Sequence, residues 1–288
     1  MELCDLNVIR ELLERHGFRF SKALGQNFLI DASVPMDIAA ASGAGATTGV
    51  LEIGPGIGPL TQELCRAAGR VVSVELDQAL LPVLAETMAG FDNFTLIHGD
   101  IMKLDIPALV DGELAGLTPI VCANLPYNIT TPVLTALVEA RRFRSITVLI
   151  QKEVAERICA RPGTAEYGAF SVFMQYYTEP EKLFDVPSTC FVPRPKVTSA
   201  VLRCRVRETP AVAVGNEALF HRTVRAAFAL RRKTLVNSLM TGFGQLNKAR
   251  LAAAIEQAGL SPTVRGETLT LTQFAALTEA LDNALQEG

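Results

Sequence analysis

GVLEIGPGIGPLT spans residues 49–61. Its first half is an apolar run of strand length, and its second half sets Gly54, Gly56 and Gly58 ahead of a segment with helical spacing. Glycines at such a handover let the backbone come close to a ligand at the carboxyl end of a strand.

Four further runs follow the same plan: RVVSVEL (70–76), FTLIHG (94–99), PIVCAN (119–124) and SITVLIQ (145–151). Each is apolar nearly throughout, as parallel strands covered on both faces are, and longer helical patterns separate them. The expected fold is therefore a doubly wound α/β sheet. KEVAERICA (152–160) reads as a helix. FSVFMQYYT (170–178) and SAVLRCRV (199–206), joined by a Pro-rich connection, are expected to form an antiparallel pair closing the sheet. From about residue 208 the pattern turns helical. NEALFHRTVRAAFAL carries Leu219, Phe220, Thr223, Val224, Ala227 and Phe228 at helical spacing, and TLTQFAALTEALDNAL opens with Thr270 and Gln273 spaced as a capping box. The expected division is an α/β domain over 1–207, with an N-terminal helical cap, and a small all-α domain over 208–288.

With 288 residues, 49% of them hydrophobic, the chain can bury a substantial core. The opening MELCDLNVIRELLERHG mixes Glu2, Asp5, Arg10 and Glu11 among its apolar residues, unlike a signal peptide, and no later run is long and apolar enough to span a membrane. A soluble, cytoplasmic protein is expected. Six scattered cysteines without a CxxC pair, and only three histidines, argue against a zinc site or a disulfide framework, so no metal is expected. The net charge of -3 divides unevenly: residues 1–140 carry 7 Lys+Arg against 17 Asp+Glu, and residues 141–288 carry 20 against 13. Either the charges are simply solvated, or the basic half meets a polyanion.

Each strand end carries a chemically distinct residue. Glu75 closes the second strand, 21 positions after Gly54, where a carboxylate can accept both hydrogen bonds of a ribose diol. Pro59 and Thr61 stand where a dinucleotide fingerprint would need glycine, and no GK[ST] makes a P-loop. Asp100 follows the third strand. Alone it reads as a turn former; in this series it could accept from an adenine amine, with the Ile101 backbone N–H beside it. Asn124 follows the fourth. Together Gly54, Glu75, Asp100 and Asn124 describe a crevice along one sheet edge. The fourth strand runs into NLPYNIT (124–130), where Asn and Pro are ordinary turn residues and Tyr127 could merely cover the sheet edge.

LGQNFLID (24–31), LEIGPGIGPLT (51–61), VVSVELD (71–77), GDIMKLD (99–105), NLPYNIT, FVPRPKVTSAVL (191–202) and FALRRKTLVNSL (228–239) together resemble S-adenosylmethionine-dependent methyltransferases, and specifically the ribosomal RNA adenine dimethyltransferase family. The resemblance spans nearly the whole chain and implies a Rossmann-like methyltransferase sheet with S-adenosyl-L-methionine as cofactor. It implies that Gln26, Asn27 and Leu29 lie over the cofactor, Gly54 and Gly56 near its methionine part, Glu75 at the ribose and Asp100 with Ile101 at the adenine, and that Leu76 and Asn124 also bind the cofactor. Without it, QNFLID would read as a helix entry with Asp31 as cap.

The resemblance also makes NLPY the catalytic segment. Adenine N6 is a poor nucleophile because its lone pair is delocalised into the ring, and transfer requires that pair localised and in line with the methyl group. Asn124 Oδ1 and the Leu125 carbonyl are the candidate acceptors for the two N6 hydrogens; Pro126 restricts Leu125 to an extended conformation and so aims its carbonyl. Tyr127 would stack on the turned-out base, with Phe191 on its opposite face. For RNA, the clusters are Arg141, Arg142 and Arg144; Lys152 and Arg157; Arg194 and Lys196; and Arg231, Arg232 and Lys233, the last equally readable as cations at a helix C-terminus.

The family's implied substrate is a pair of adjacent adenosines in the terminal hairpin loop of small-subunit rRNA, N6,N6-dimethylated within an immature subunit by a monomeric enzyme. Alternatives are an antibiotic-resistance methyltransferase of large-subunit rRNA, a noncatalytic assembly factor, and a nicotinamide-dependent oxidoreductase.

Overall fold

The structure, a computed structural model, describes residues 1–18 and 25–287. Leu24, the first residue of the LGQNFLID motif, lies outside the described residues. In chain order the first half contains α1 (Leu6–Arg15), β1 (Phe28–Leu29), α2 (Ser33–Ser42), β2 (Thr48–Ile53), α3 (Pro59–Ala67), β3 (Arg70–Glu75), α4 (Leu81–Thr87), β4 (Phe94–His98), α5 (Ile106–Glu113) and β5 (Thr118–Asn124). Then come α6 (Thr130–Glu139), β6 (Ser145–Gln151), α7 (Lys152–Cys159), α8 (Ala169–Tyr177), β7 (Thr178–Val186), β8 (Phe191–Val192) and β9 (Ser199–Val206). Four helices close the chain: α9 (Glu217–Ala229), α10 (Leu235–Leu239), α11 (Lys248–Gln257) and α12 (Leu271–Gln286).

The main sheet has the order β4-β3-β2-β5-β6-β9-β7, and β1 pairs with β8 in a small antiparallel sheet. Neighbours from β4 to β6 are parallel, and β9 joins β6 antiparallel. Connections run outward in opposite directions from β2 and β5. Their carboxyl ends thus form a topological switch point, the place where open α/β sheets bind ligands. Every residue of β2 is buried, and β5 and β6 are buried through their centres, which is why these runs were apolar without alternation.

FSVFMQYYT is not a strand. Residues 169–177 form α8, with Ser171 Oγ accepting from the Gly168 N–H at 3.0 Å and Ser171, Val172, Met174, Tyr176 and Tyr177 buried. Here tertiary burial overrides the β preference of aromatic and branched residues. The strand at the sheet edge is the next segment, TEPEKLFDV, a mostly polar run with Pro180, a composition typical of protected edges.

The chain folds into two compact units. One holds Met1–Ala155 and Pro180–Val206; the other holds Glu156–Glu179 and everything from Arg207, so the second includes a segment that precedes residue 208. In the first unit, α1 is capped by Asp5, whose carboxylate accepts from the N–H groups of Asn7 and Val8. Its Ile9, Leu12 and Leu13 join Phe28, Leu60, Leu64 and Phe191 in one core. In the second, α9 is capped by Asn216, and α12 by the reciprocal Thr270–Gln273 box that its sequence predicts. Phe220, Phe243, Phe274, Tyr167 and Tyr176 fill its interior. No helix among the described residues is long and apolar enough to cross a membrane.

Candidate active site

The four strand ends converge. Gly54, Glu75, Asp100 and Asn124 all line one open crevice at the carboxyl ends of the strands, where open α/β sheets bind their ligands. Gln26, Asn27, Leu76, Ile101, Leu125, Pro126 and Tyr127 line it too. Leu29 lies beside it, on a smaller adjoining cavity bounded also by Asn27, Glu52, Pro55 and Asn124. Gly56 adopts φ +62°, and a Cβ there would stand 3.3 Å from the Phe28 ring, so the glycine keeps the turn tight against the crevice wall.

Glu75 is 6% exposed, and burial pushes its carboxyl above the usual carboxylate range. It accepts from the Asp77 N–H at 2.7 Å and the Gly56 N–H at 3.4 Å. Asp77 in turn accepts from Gln26 Nε2 at 2.7 Å and from the Ala79 N–H at 3.0 Å, so one side chain ties the N-terminal segment of the crevice to the end of β3. Asp100 accepts from the Met102 N–H at 3.0 Å, with Lys103 Nζ 3.8 Å away. The turn-former reading of Asp100 is therefore true as well, one carboxylate oxygen capping the turn while the residue faces the crevice.

At NLPY, Asn124 Nδ2 donates to the Asn27 carbonyl at 3.3 Å, which leaves Oδ1 as the acceptor end of the amide. The Leu125 N–H donates to the Leu149 carbonyl at 3.1 Å, fixing the motif to β6. The Pro126 carbonyl is committed to the Ile129 N–H and the Thr130 hydroxyl, both at 3.2 Å. The Tyr127 hydroxyl lies 2.6 Å from Ser199 Oγ, and burial raises its pKa. NLPY is thus a closed turn as well as a crevice wall.

Other expected positions fall elsewhere. Phe191 is 3% exposed and does not line the crevice: pairing of β8 with β1 sets it opposite Leu29 in the core, so the ring offers no free face for a base in this arrangement. Arg194 is exposed on the β8–β9 loop, with Nε donating to Ser188 Oγ at 3.0 Å. Arg231 is committed to the Glu267 carboxylate at 2.7 Å and to the carbonyls of Thr164 and Ala165. Arg232 and Lys233 are exposed just past α9. Arg142 pairs with Asp111 and Lys152 with Asp185. A helix does begin just after QNFLID, but the cap position of α2 is Ala32 rather than Asp31, which lies one residue earlier and accepts from the Ser33 N–H at 3.0 Å. Pro59 takes the first position of α3, which removes one N–H that a phosphate would use.

Glu52 was not anticipated. A carboxylate inside an otherwise apolar central strand was the available signal. It is 1% exposed, accepts from the Thr61 hydroxyl at 2.8 Å and the Ser73 hydroxyl at 2.6 Å, and burial pushes its pKa from 4.5 to about 7. Because the folded state holds this proton more tightly than the unfolded chain, stability is expected to fall as pH rises from about 4.5 to about 7. The loss is on the order of 3 kcal/mol. Denaturant unfolding across that window should show the decline, and Glu52→Gln should remove it.

The residues present suit an adenosyl group with a charged tail: a buried carboxylate for the diol with no ion pair among the described residues, a carboxylate and apolar face for the base, and a glycine turn for close approach. Sheet and crevice together are those of a Rossmann-like methyltransferase. The family model for ribosomal RNA adenine dimethylase matches residues 17–282. The "Ribosomal RNA small subunit methyltransferase A" of Geobacillus thermodenitrificans is 46% identical over 276 residues, covering 94% of each chain, and that of Shouchella clausii is 47% identical over 279 residues, covering 96% of this chain and 94% of the relative. Among solved structures, the 23S rRNA methyltransferase ErmE superposes with TM-score 0.68 at 27% identity, over 88% of this chain and 99% of that one. A dimethyladenosine transferase from Plasmodium falciparum does so with TM-score 0.75 over 89% and 98%, and at 23% identity speaks for the fold alone. The chain belongs to the ribosomal RNA adenine dimethylase family.

Proposed function

We propose that the protein dimethylates N6 of two adjacent adenosines in the terminal hairpin loop of small-subunit rRNA, within an immature subunit in the cytoplasm, with S-adenosyl-L-methionine as methyl donor. The observation that carries this reading is the Asn124 amide, held by the Asn27 carbonyl so that its oxygen is left to accept at the crevice. Gln26, Asn27, Leu29, Gly54, Gly56, Glu75, Leu76, Asp100 and Ile101 hold the donor, whose sulfonium supplies an electrophilic methyl group.

The chain's own residues then make N6 reactive. Asn124 Oδ1 and the Leu125 carbonyl accept the two amine hydrogens from off the ring plane, favouring a pyramidal nitrogen with its lone pair aimed at the methyl carbon. Pro126 keeps Leu125 extended, and Tyr127 supplies a stacking face that offsets part of the stacking lost when the base turns out. The amine becomes cationic as its bond to the methyl carbon forms and the methyl–sulfur bond breaks, that electron pair staying on sulfur in a neutral thioether, and the amine's proton leaves to water. Positioning and electrostatics therefore supply the rate. Arg194, Arg232 and Lys233 are the exposed cations for phosphate contact, a role in which they position RNA without reading its sequence; Arg231 would first have to leave Glu267.

The test is methyl transfer from labelled cofactor to immature small subunits isolated from a strain lacking this modification, with large subunits as control. Label on two adjacent small-subunit adenosines is expected. Label confined to large subunits would overturn the reading in favour of the resistance-type activity.

A further inference from the structure

Ser199 opens β9, is fully buried, and places its hydroxyl 2.6 Å from that of Tyr127. The strand between them is β6: Asn124 pairs with Leu149 on one side, and Ser199 pairs with Gln151 on the other. Two strand spacings, about 10 Å of backbone separation, are thus bridged by one tyrosine ring reaching past the end of β6.

The bond constrains the ring in two ways. Fixing the phenolic oxygen fixes the side-chain direction set by the first torsion. Conjugation keeps the phenolic O–H in the ring plane, so its hydrogen-bond partner also biases rotation about the second. We infer that Ser199 is a positioning residue for methyl transfer, holding through the Tyr127 hydroxyl the plane on which the target adenine stacks. This rests on the reading of Tyr127 as the stacking face. The segment immediately before Ser199 carries exposed Arg194 and Lys196, and its Thr198 carbonyl accepts from the Lys152 N–H at 3.0 Å. Phosphate contact and base plane therefore share one short stretch of chain, anchored to the sheet.

A buried serine also needs a partner simply for its hydroxyl, so the test must separate orientation from fold maintenance. Single-turnover rates on immature small subunits, cofactor affinity and thermal midpoint are measured for Ser199→Ala, Tyr127→Phe, the double variant, Ser199→Thr and Tyr127→Ala. Ser199→Ala and Tyr127→Phe are each expected to slow transfer about tenfold, with the double variant no slower than either, since both remove the same bond. Cofactor affinity should stay within about twofold, and Ser199→Thr, which keeps the hydroxyl, should recover most of the rate. A native rate in Tyr127→Phe, or losses that multiply in the double variant, would overturn the assignment. Should Ser199→Ala fold poorly, Tyr127→Phe decides alone, because it keeps the ring and removes only the hydroxyl. Tyr127→Ala separates the two ideas: a native rate there sinks the stacking reading itself, whereas a loss in Tyr127→Ala with none in Tyr127→Phe leaves stacking standing and removes Ser199 from it.

Discussion

Asn124→Ala is expected to lower the single-turnover rate of methyl transfer by roughly 10²- to 10³-fold, the scale on which removal of one preorganised polar group acts in other active sites. Cofactor affinity should change far less, because Glu75, Asp100 and the glycine turn are untouched. Asn124→Asp should do no better, although it keeps an acceptor of the same shape. The side chain also donates to the Asn27 carbonyl at 3.3 Å, and a carboxylate would face that oxygen without a proton to share. The substitution therefore turns one contact repulsive and tilts the group proposed to accept from the adenine amine. Rapid-quench measurement with labelled cofactor checks both variants, and a near-native rate in Asn124→Ala would remove this residue from the mechanism.

Glu75→Ala is expected to weaken cofactor binding on the order of 100-fold, since the two hydrogen bonds proposed from a ribose diol to a buried charged acceptor would be lost. Glu75→Gln should fail almost as badly, because one carboxylate oxygen accepts from the Asp77 N–H and the other from the Gly56 N–H, and an amide would set its NH2 group against one of these donors. The acid side of the pH profile follows from the same burial. Glu75 titrates above the usual carboxylate range, so the charged acceptor is lost as pH falls through that raised value. Calorimetric affinity for the cofactor should therefore weaken toward acid pH in the native protein, and Glu75→Gln should flatten that dependence.

The centre of the sheet was legible because burial on both faces leaves no polar alternation to confuse, and the runs ending at Glu75 and Asn124 end there in the structure. The crevice was legible for a related reason: glycine, two carboxylates and an amide recurred at strand ends, which one topology brings to one edge. Residues whose meaning is tertiary were hidden. FSVFMQYYT has strand composition but is buried along a helix face, and the true edge strand TEPEKLFDV looks like a loop because a sheet edge is kept polar. Phe191 looked like a free aromatic, and only its pairing opposite Leu29 reveals a core residue. Glu52 and Ser199 depend on partners 21 and 72 positions away, which no local pattern carries.

The order β6-β9-β7 means that the last strand to be made is inserted between two made earlier. During synthesis, β6 presents an unpaired apolar edge until residues 199–206 emerge, while β7 is already available as a wrong neighbour. The polar, proline-bearing composition of TEPEKLFDV makes it a poor competitor for that edge, which keeps the slot open for the later strand. A nascent chain halted before residue 199 would carry NLPY and the glycine turn, yet the place of β9 between β6 and β7 would still be empty.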